Sequence, residues 1–460
     1  MVTFEVRPSA TASISDEYIP IRPGTDGAVA LAMAQVITSE KLYNEAFWRR
    51  WVNVPLQDII DQVAGYTPDW AAALSGVPAA TITRLARAFA AAAPHCCTLS
   101  GRGSAKHYNG AQGDRGIRLL DVLVGNVGQE GGYCLSSLRG WGGHYGQDGL
   151  PKLPMPAPRP PRPAPWKPGT REFAALPEAV QARVAAFPED WQNRYYGELA
   201  TPSEYPLSWH WYSMRVGQLV YPYIREGRQK VELYMSYVLG AAYGYPEAGL
   251  AREVMLDEKL IPFHVAIDIG YGEHTALADL ILPDATSLER WDPHTTNSYA
   301  LRPYVGLRQP LAVPLGEARP IQIILRDLAR RIGDGMEAYF DFDDPEDFYR
   351  EWHRNLPISW DEFKRRGIWH DPDRPRDYRL YERPVPADEL AESTVDPDTQ
   401  IVYRQKPGSG GKPGRRVAVG IMRDGTAVRG FPTPSRVIQV RDDIFLQAAR
   451  AAGVPEDDPV

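Results

Sequence analysis

The sequence is short of cysteine. It has three in 460 residues, Cys96, Cys97 and Cys134, and no CxxC pair. A thiolate zinc or iron–sulfur site therefore cannot be assembled from this chain alone. The adjacent Cys96 and Cys97 are poorly placed to bond each other, so buried free thiols are expected. Long apolar runs are missing too. No stretch of 18 apolar residues occurs, so no membrane span is expected. Residues 1–20 carry Glu5, Arg7, Asp16 and Glu17 and no apolar h-region of a secretory signal. Nor is there a surplus of positive charge. With 51 Lys and Arg against 58 Asp and Glu, the net charge is −7. That balance disfavours sequence-independent nucleic-acid binding, and Lys412, Arg415 and Arg416 read as a solvated loop.

Several short motifs begin and then fail. Gly101-Arg102-Gly103 starts a dinucleotide fingerprint, but Lys106 stands where the third glycine belongs. In the stretch from Gly408 to Pro413 the lysine is followed by proline, not by the Ser or Thr of a P-loop. The nine histidines include no HExxH and no i, i+4 pair. Lone ones such as His210 and His353 are expected to be structural or superficial. A simple nicotinamide, ATP or zinc-hydrolase site is thereby disfavoured.

What remains is an ordinary globular composition, 43% hydrophobic and 24% charged, with length for two or three domains. Residues 2–6 read as a buried strand and 18–21 as a second. The turn Arg22-Pro23-Gly24-Thr25-Asp26 leads into an apolar helix over 28–36, which Thr25 or Asp26 can cap. Strand, glycine turn and helix together present free N–H groups to an anionic or polar ligand. Thr67, Pro68 and Asp69 open another helix. Pro78 opens the next, with Ile82, Leu85, Ala86 and Phe89 on one face. Residues 96–101 read as a strand and 114–124 as a helix. This alternation predicts a parallel α/β sheet.

Nine prolines between 151 and 168 exclude helix and central strand there. A short helix is expected at 177–187. Strands follow at 231–238, 263–267 and 280–282, ending in Gly240, Asp268 and Pro283. A core-facing helix spans 321–332. Beyond about 334 the chain is rich in Asp, Pro and Arg with weak periodicity, and 405–415 reads as a flexible loop.

A set of blocks, in order, resembles one family. Phe4-Glu5-Val6-Arg7 and Arg22-Pro23-Gly24-Thr25-Asp26 come first. Ser75-Gly76-Val77-Pro78 and Gly101-Arg102-Gly103 follow, then Asn109-Gly110, Gly125-Asn126-Val127-Gly128 and Gly131-Gly132. Asp268, Thr275, the run Ala278-Asp279-Leu280-Ile281-Leu282-Pro283 and Leu288-Glu289-Arg290 come next. Gln309-Pro310 and Gly316-Glu317-Ala318-Arg319 close the series. Together they resemble the molybdopterin-dependent oxidoreductases of the dimethyl sulfoxide reductase type. The branch most similar is that of tetrathionate, thiosulfate, polysulfide and arsenate catalytic subunits. The resemblance covers roughly residues 1–335 and is weaker beyond.

The resemblance implies an α/β fold: two Rossmann-like parallel-sheet domains and an irregular α+β C-terminal segment. Residues 1–140 and 176–310 would each bind a pterin dinucleotide. Residues 141–175 would be a Gly/Pro-rich loop and linker, and 311–460 a helical and irregular segment. The implied cofactors are two molybdopterin guanine dinucleotides with molybdenum or tungsten. A four-iron four-sulfur cluster, and the metal's protein ligand, would belong to a part of the family chain upstream of this one. Alone, then, the chain is expected to be inactive.

The implied cofactor-binding residues are Glu5, Arg7, Gly24, Asp26, Gly101 and Gly103, then Gly240, Asp268, Gly272 and His274. Glu5 stands where the family pattern has Asp, and Val6 where it has Pro. Asp26 stays open between a helix cap and a guanine contact. Arg139, with His144, would face the metal and substrate as the catalytic pair, and Trp141 and Tyr145 would line the way in. The alternative is that Gly140 to Gly149, with five glycines, is only a flexible loop. Asp279 and Glu289 would hold local turns, with Glu289 pairing Arg290. Implied partners are a small-molecule substrate, an iron–sulfur electron-transfer subunit and a membrane anchor subunit, with no nucleic acid. The parent would be periplasmic or membrane-associated. Two other readings stay in view: a non-catalytic scaffold keeping the fold without metal, and a nicotinamide α/β enzyme, which the failed fingerprint disfavours.

Overall fold

The computed structural model describes residues 1–107, 110–134, 169, 171–174, 178, 181–182, 219–227, 229–245, 247–292, 304–373, 376, 378–406, 414–441, 446 and 450. The proline-rich stretch at 151–168 and most of the helix expected at 177–187 lie outside them.

Strands β1 (Val2–Glu5) and β2 (Glu17–Pro20) run parallel. One helical turn, Ala10–Ser13, joins them, with Ser9 Oγ accepting from Ala12 N. The burial expected of the first strand is not found: Val2 is 40% and Val6 53% exposed. Among the described residues β1 has a neighbour on one side only; it meets the core through the partly buried Phe4, and β2 enters it through the buried Ile19.

The helix Asp26–Ser39 buries Val29, Ala30, Ala32, Met33, Ala34, Val36 and Ile37. Apolar on nearly all sides, it must be surrounded, and the helices Pro68–Ser75, Ala79–Ala91 and Gly110–Val124 surround it. A Cβ on Gly27 would come 2.7 Å from the Gly113 Cα. These two helices therefore touch backbone to backbone, which only glycine permits. Thr67 accepts from Trp70 N at 3.2 Å and Pro68 follows it, as the sequence predicts. Ile82, Leu85 and Ala86 form the predicted buried face.

Residues 96–101 are not a strand. Thr98 N donates to Asp121 Oδ1 at 3.0 Å, Arg118 Nη1 donates to Thr98 O at 2.8 Å, and Asn126 Nδ2 donates to Cys96 O. Side chains from the following helix and its end thus satisfy the backbone groups that a sheet ladder would take. Of the three thiols none is disulfide-bonded, and Cys97 is exposed rather than buried.

Farther along, β3 (Tyr234–Tyr237), β4 (His264–Asp268) and β5 (Leu280–Pro283) form a parallel sheet in sequence order. The helices Val220–Arg225 and Ala248–Leu256 pack their Tyr221, Ile224, Ala251, Val254 and Met255 into one cluster. The helix Ile321–Ile332 has the predicted bounds. A short antiparallel pair, β6 (Val305–Gly306) and β7 (Ile368–Trp369), joins a second core of Val305, Leu307, Leu356, Phe363 and Trp369.

The C-terminal region is more regular than its sequence suggests. Strands β8 (Ser393–Val395), β9 (Ile401–Lys406), β10 (Arg415–Arg423) and β11 (Thr426–Val428) make an antiparallel sheet of order β11-β10-β9-β8. A register shift between Ala418 and Gly420 interrupts β10. Such a bulge breaks the two-residue alternation by which a strand is read. This sheet is not isolated. Tyr381, Ile421, Val428, Phe431 and Val437 complete the N-terminal core. Trp51 lies 4.8 Å from Tyr381 and 5.7 Å from Phe431, centroid to centroid, and Tyr381 stacks on Phe431 at 4.5 Å. Ile438 N donates to Trp51 O at 2.7 Å, and Val440 N to Asn53 Oδ1 at 2.9 Å.

Candidate functional site

In parallel sheets the C-terminal strand ends gather the connecting loops, and ligands bind there. Among the described residues two such edges occur. At the first, β1 ends in Glu5 and β2 leads to Gly24 and Asp26. Glu5 Oε1 accepts from Val6 N at 2.9 Å, and Arg7 is exposed just beyond. Gly24 has φ +78°, and a Cβ on it would lie 3.1 Å from His107 Nδ1. The backbone conformation demands glycine here, and the His107 ring leaves little room for a side chain. Thr25 occupies the cap position of the helix Asp26–Ser39, yet its hydroxyl donates to Arg22 O at 2.7 Å. Asp26 is the first helical residue rather than the cap, and no side chain caps this end. The helix therefore presents uncapped N–H groups and the positive end of its dipole. Gly101 precedes and Gly103 lies within the one-turn helix Arg102–Ala105, and the Cβ direction of each is open. His107, which no sequence motif marks, belongs with this group through its closeness to Gly24.

At the second edge β3 leads to Gly240, and β4 ends in Asp268 before the loop holding Gly272. A Cβ on Gly240, Gly270 or Gly272 would meet no atom within 4 Å. Asp268 Oδ1 accepts from Ile269 N at 2.7 Å. Val238, directly after β3, has φ +46°. That is unusual for a β-branched residue and marks a locally constrained backbone.

His274 is buried beside the start of β4 rather than exposed at the strand ends. Its ring centroid is 5.4 Å from that of His264, the first residue of β4. Both ring nitrogens of His274 are buried without a hydrogen-bond partner. His264 Nε2 shares a 3.0 Å hydrogen bond with Ser236 Oγ. Burial holds both imidazoles below the usual histidine range, and for His264 the neighbouring His274 adds to it.

Behind the edge runs a buried ion network. Arg290 pairs with Asp284 and, at 2.9 Å, with Asp292, which also meets Arg308 at 3.3 Å. The expected Glu289–Arg290 pair is absent from it. Glu289 Oε2 instead accepts from Thr286 N and Oγ1, both at 2.9 Å, so it does hold its turn. Asp279 Oδ2 likewise accepts from His264 N at 2.7 Å. Asp284 Oδ1 takes Ile321 N at 2.8 Å and so ties β5 to the helix Ile321–Ile332. The Tyr237 phenol faces Asp284 and Arg290, and burial pushes its pKa up. His353 is structural: it is buried, with Nδ1 on Tyr349 O at 2.6 Å.

Arg139, Trp141, His144 and Tyr145, and likewise His210, lie outside the described residues. Among the described residues no group of three or more His, Cys, Asp or Glu is placed to hold a metal ion. Among them, too, no helix is long and apolar enough to cross a membrane. A cleft of about 380 Å³ lined by Arg330, Glu337, Ala338, Phe340 and Asp341 is made by none of the strand-end residues.

Comparison with known proteins bears on this geometry. The molybdopterin oxidoreductase family matches residues 2–331. The thiosulfate reductase molybdopterin-containing subunit of Salmonella typhimurium is 28% identical over 343 residues, 73% of this chain and 40% of the relative. The dimethyl sulfoxide reductase of Escherichia coli is 26% identical over 430 residues, 86% of this chain and 46% of the relative. The chain thus spans less than half the length of these relatives. Among solved structures, acetylene hydratase from Pelobacter acetylenicus superposes with a TM-score of 0.57 at 18% identity, covering 97% of this chain and 52% of that one. At that identity the likeness speaks to the fold alone.

Proposed function

The chain belongs to the molybdopterin oxidoreductase family, and from that premise we propose that it supplies two dinucleotide-gripping edges of a molybdopterin guanine dinucleotide-dependent catalytic subunit. Residues 1–140 and 176–310 form the two binding domains, 141–175 the linker between them, and 311–460 the segment that follows. The substrate is a small molecule, a sulfur or arsenic oxyanion in the first instance. Electrons pass to or from an iron–sulfur partner subunit, and a membrane anchor subunit completes the complex.

The observation that carries this reading is the open second edge. There a half-buried carboxylate, Asp268, stands between glycines whose Cβ directions are empty. Backbone can approach a pyrophosphate only where side chains leave room. A carboxylate accepts both the N1–H and the amino protons of guanine. At the first edge the uncapped helix start beyond Gly24 suits a phosphate, and Glu5 and Asp26 are the guanine acceptors. The residues present therefore fit a guanine-tipped dianion at each edge. Arg139 and His144 are proposed to bind oxyanion charge near the metal, where a guanidinium offers paired N–H donors. His274, buried behind Asp268, orients the loop that carries Gly272. The bound metal pterin supplies the two-electron redox chemistry.

The test is metal analysis with extraction of bound nucleotide from the purified protein. Guanine dinucleotide with molybdenum or tungsten is expected. An empty protein would favour the scaffold reading, and a nicotinamide would replace the reading altogether.

A further inference from the structure

We propose that Tyr271 is the stacking platform for the guanine that Asp268 reads, an inference that rests on the function proposed above and adds a base-binding residue to it. Tyr271 is 78% exposed, among the largest exposures of any aromatic ring on the described surface. It sits three residues past Asp268, between Gly270 and Gly272, and a Cβ on either glycine would meet nothing within 4 Å. The backbone on either side of the exposed ring is therefore open to a ligand. The loop that carries it is fixed at both ends. Asp268 Oδ1 accepts from Ile269 N at 2.7 Å. Thr275 Oγ1 accepts from Gly272 N at 2.7 Å and lies 2.9 Å from Gly272 O. A fixed loop presents its ring without a large ordering cost on binding.

The other exposed rings near this edge are committed elsewhere. Tyr243 has the Arg252 guanidinium 5.4 Å from its centroid. The Tyr237 phenol is held against Asp284 and Arg290. Asp268 retains lone pairs beyond the one given to Ile269, enough for the two donors of guanine's edge. An adenine in the same place offers no matching pair of donors. Stacking tolerates any base, whereas the carboxylate selects. The two residues thus divide the work: Tyr271 contributes affinity and Asp268 contributes choice.

Guanosine diphosphate carries the base and the pyrophosphate and serves as the probe, with adenosine diphosphate beside it. Equilibrium binding to the full chain is measured by titration calorimetry. The wild type should prefer the guanine nucleotide. Tyr271→Ala should weaken guanosine diphosphate by about tenfold, and Tyr271→Trp should restore it. Asp268→Asn should erase the preference for guanine over adenine. Tyr271 is too exposed for its loss to threaten the fold. If Tyr271→Ala binds as the wild type does while Asp268→Asn still loses the preference, the platform is overturned and the proposed function stands. If the wild type binds no guanosine diphosphate, both fall together.

Discussion

At the scale of single residues, the buried pair His264 and His274 makes a definite statement about pH. Burial depresses both imidazoles, and His264 is further depressed by its neighbour. Asp268 and Asp279, which oppose this, do not overcome it. A depressed histidine is neutral when folded and takes a proton more readily when unfolded. Stability is therefore fully present above the unfolded pKa, about 6.5, and is lost as pH falls below it. The urea midpoint should drop between pH 7.5 and pH 5, and His274→Leu should flatten that drop. An equally steep profile in the variant would refute the assignment. Neither the contact between these rings nor the ion network around Arg290 could be read from spacing. Arg290 adjoins Glu289 in sequence, yet the partners it takes are Asp284 and Asp292, which the folded loop brings round to it.

At the scale of elements, local signals were legible wherever the cause was local. Thr67 caps through its own hydroxyl, and the helix Ile321–Ile332 keeps its predicted bounds, although it is not core-facing as expected: only Ala329 is buried, and Leu328 and Ile332 are exposed. β4 and β5 fell within a residue of the apolar runs that end at Asp268 and Pro283, whereas β3 is only the middle of the run expected over 231–238. The segment 96–101 was misread because its apolar residues resemble a strand while its hydrogen bonds go to side chains. That substitution can be tested. Asp121 is 1% exposed and bonds Thr98 N, Thr98 Oγ1 and Asn126 Nδ2. Asp121→Ala should leave the Thr98 amide without its acceptor, at a cost of about 2 kcal/mol. Exchange at Thr98 should quicken roughly 30-fold. Unchanged protection there would show that some other group holds the segment. The antiparallel sheet β8–β11 escaped for a different reason. Its pairing is non-local, and a bulge disturbs its alternation.

At the scale of the whole molecule, the N-terminal core is finished by residues from the far end of the chain. Tyr381 is 1% exposed, sits against Phe47, Trp51 and Phe431, and donates to Val127 O at 3.1 Å. Tyr381→Ala should destabilise by about 3–5 kcal/mol, the cost of emptying a packed aromatic site. The loss should appear in the unfolding of the N-terminal helices as well as of the C-terminal sheet, because one core serves both. Two separate transitions with only the later segment affected would contradict this. The candidate site was legible as chemistry, in its carboxylates and glycines. Its geometry was not, since which of them face open space depends on loops that only the folded chain defines.

The clasp in which the Asn53 side chain accepts from Val440 N joins residues made 387 positions apart. On the ribosome, at about 5–20 residues per second, the first helices must wait on the order of 20–80 s for the segment that seals them. During that interval Trp51 lacks the rings of Tyr381 and Phe431, so part of the core stays open to chaperones and to aggregation.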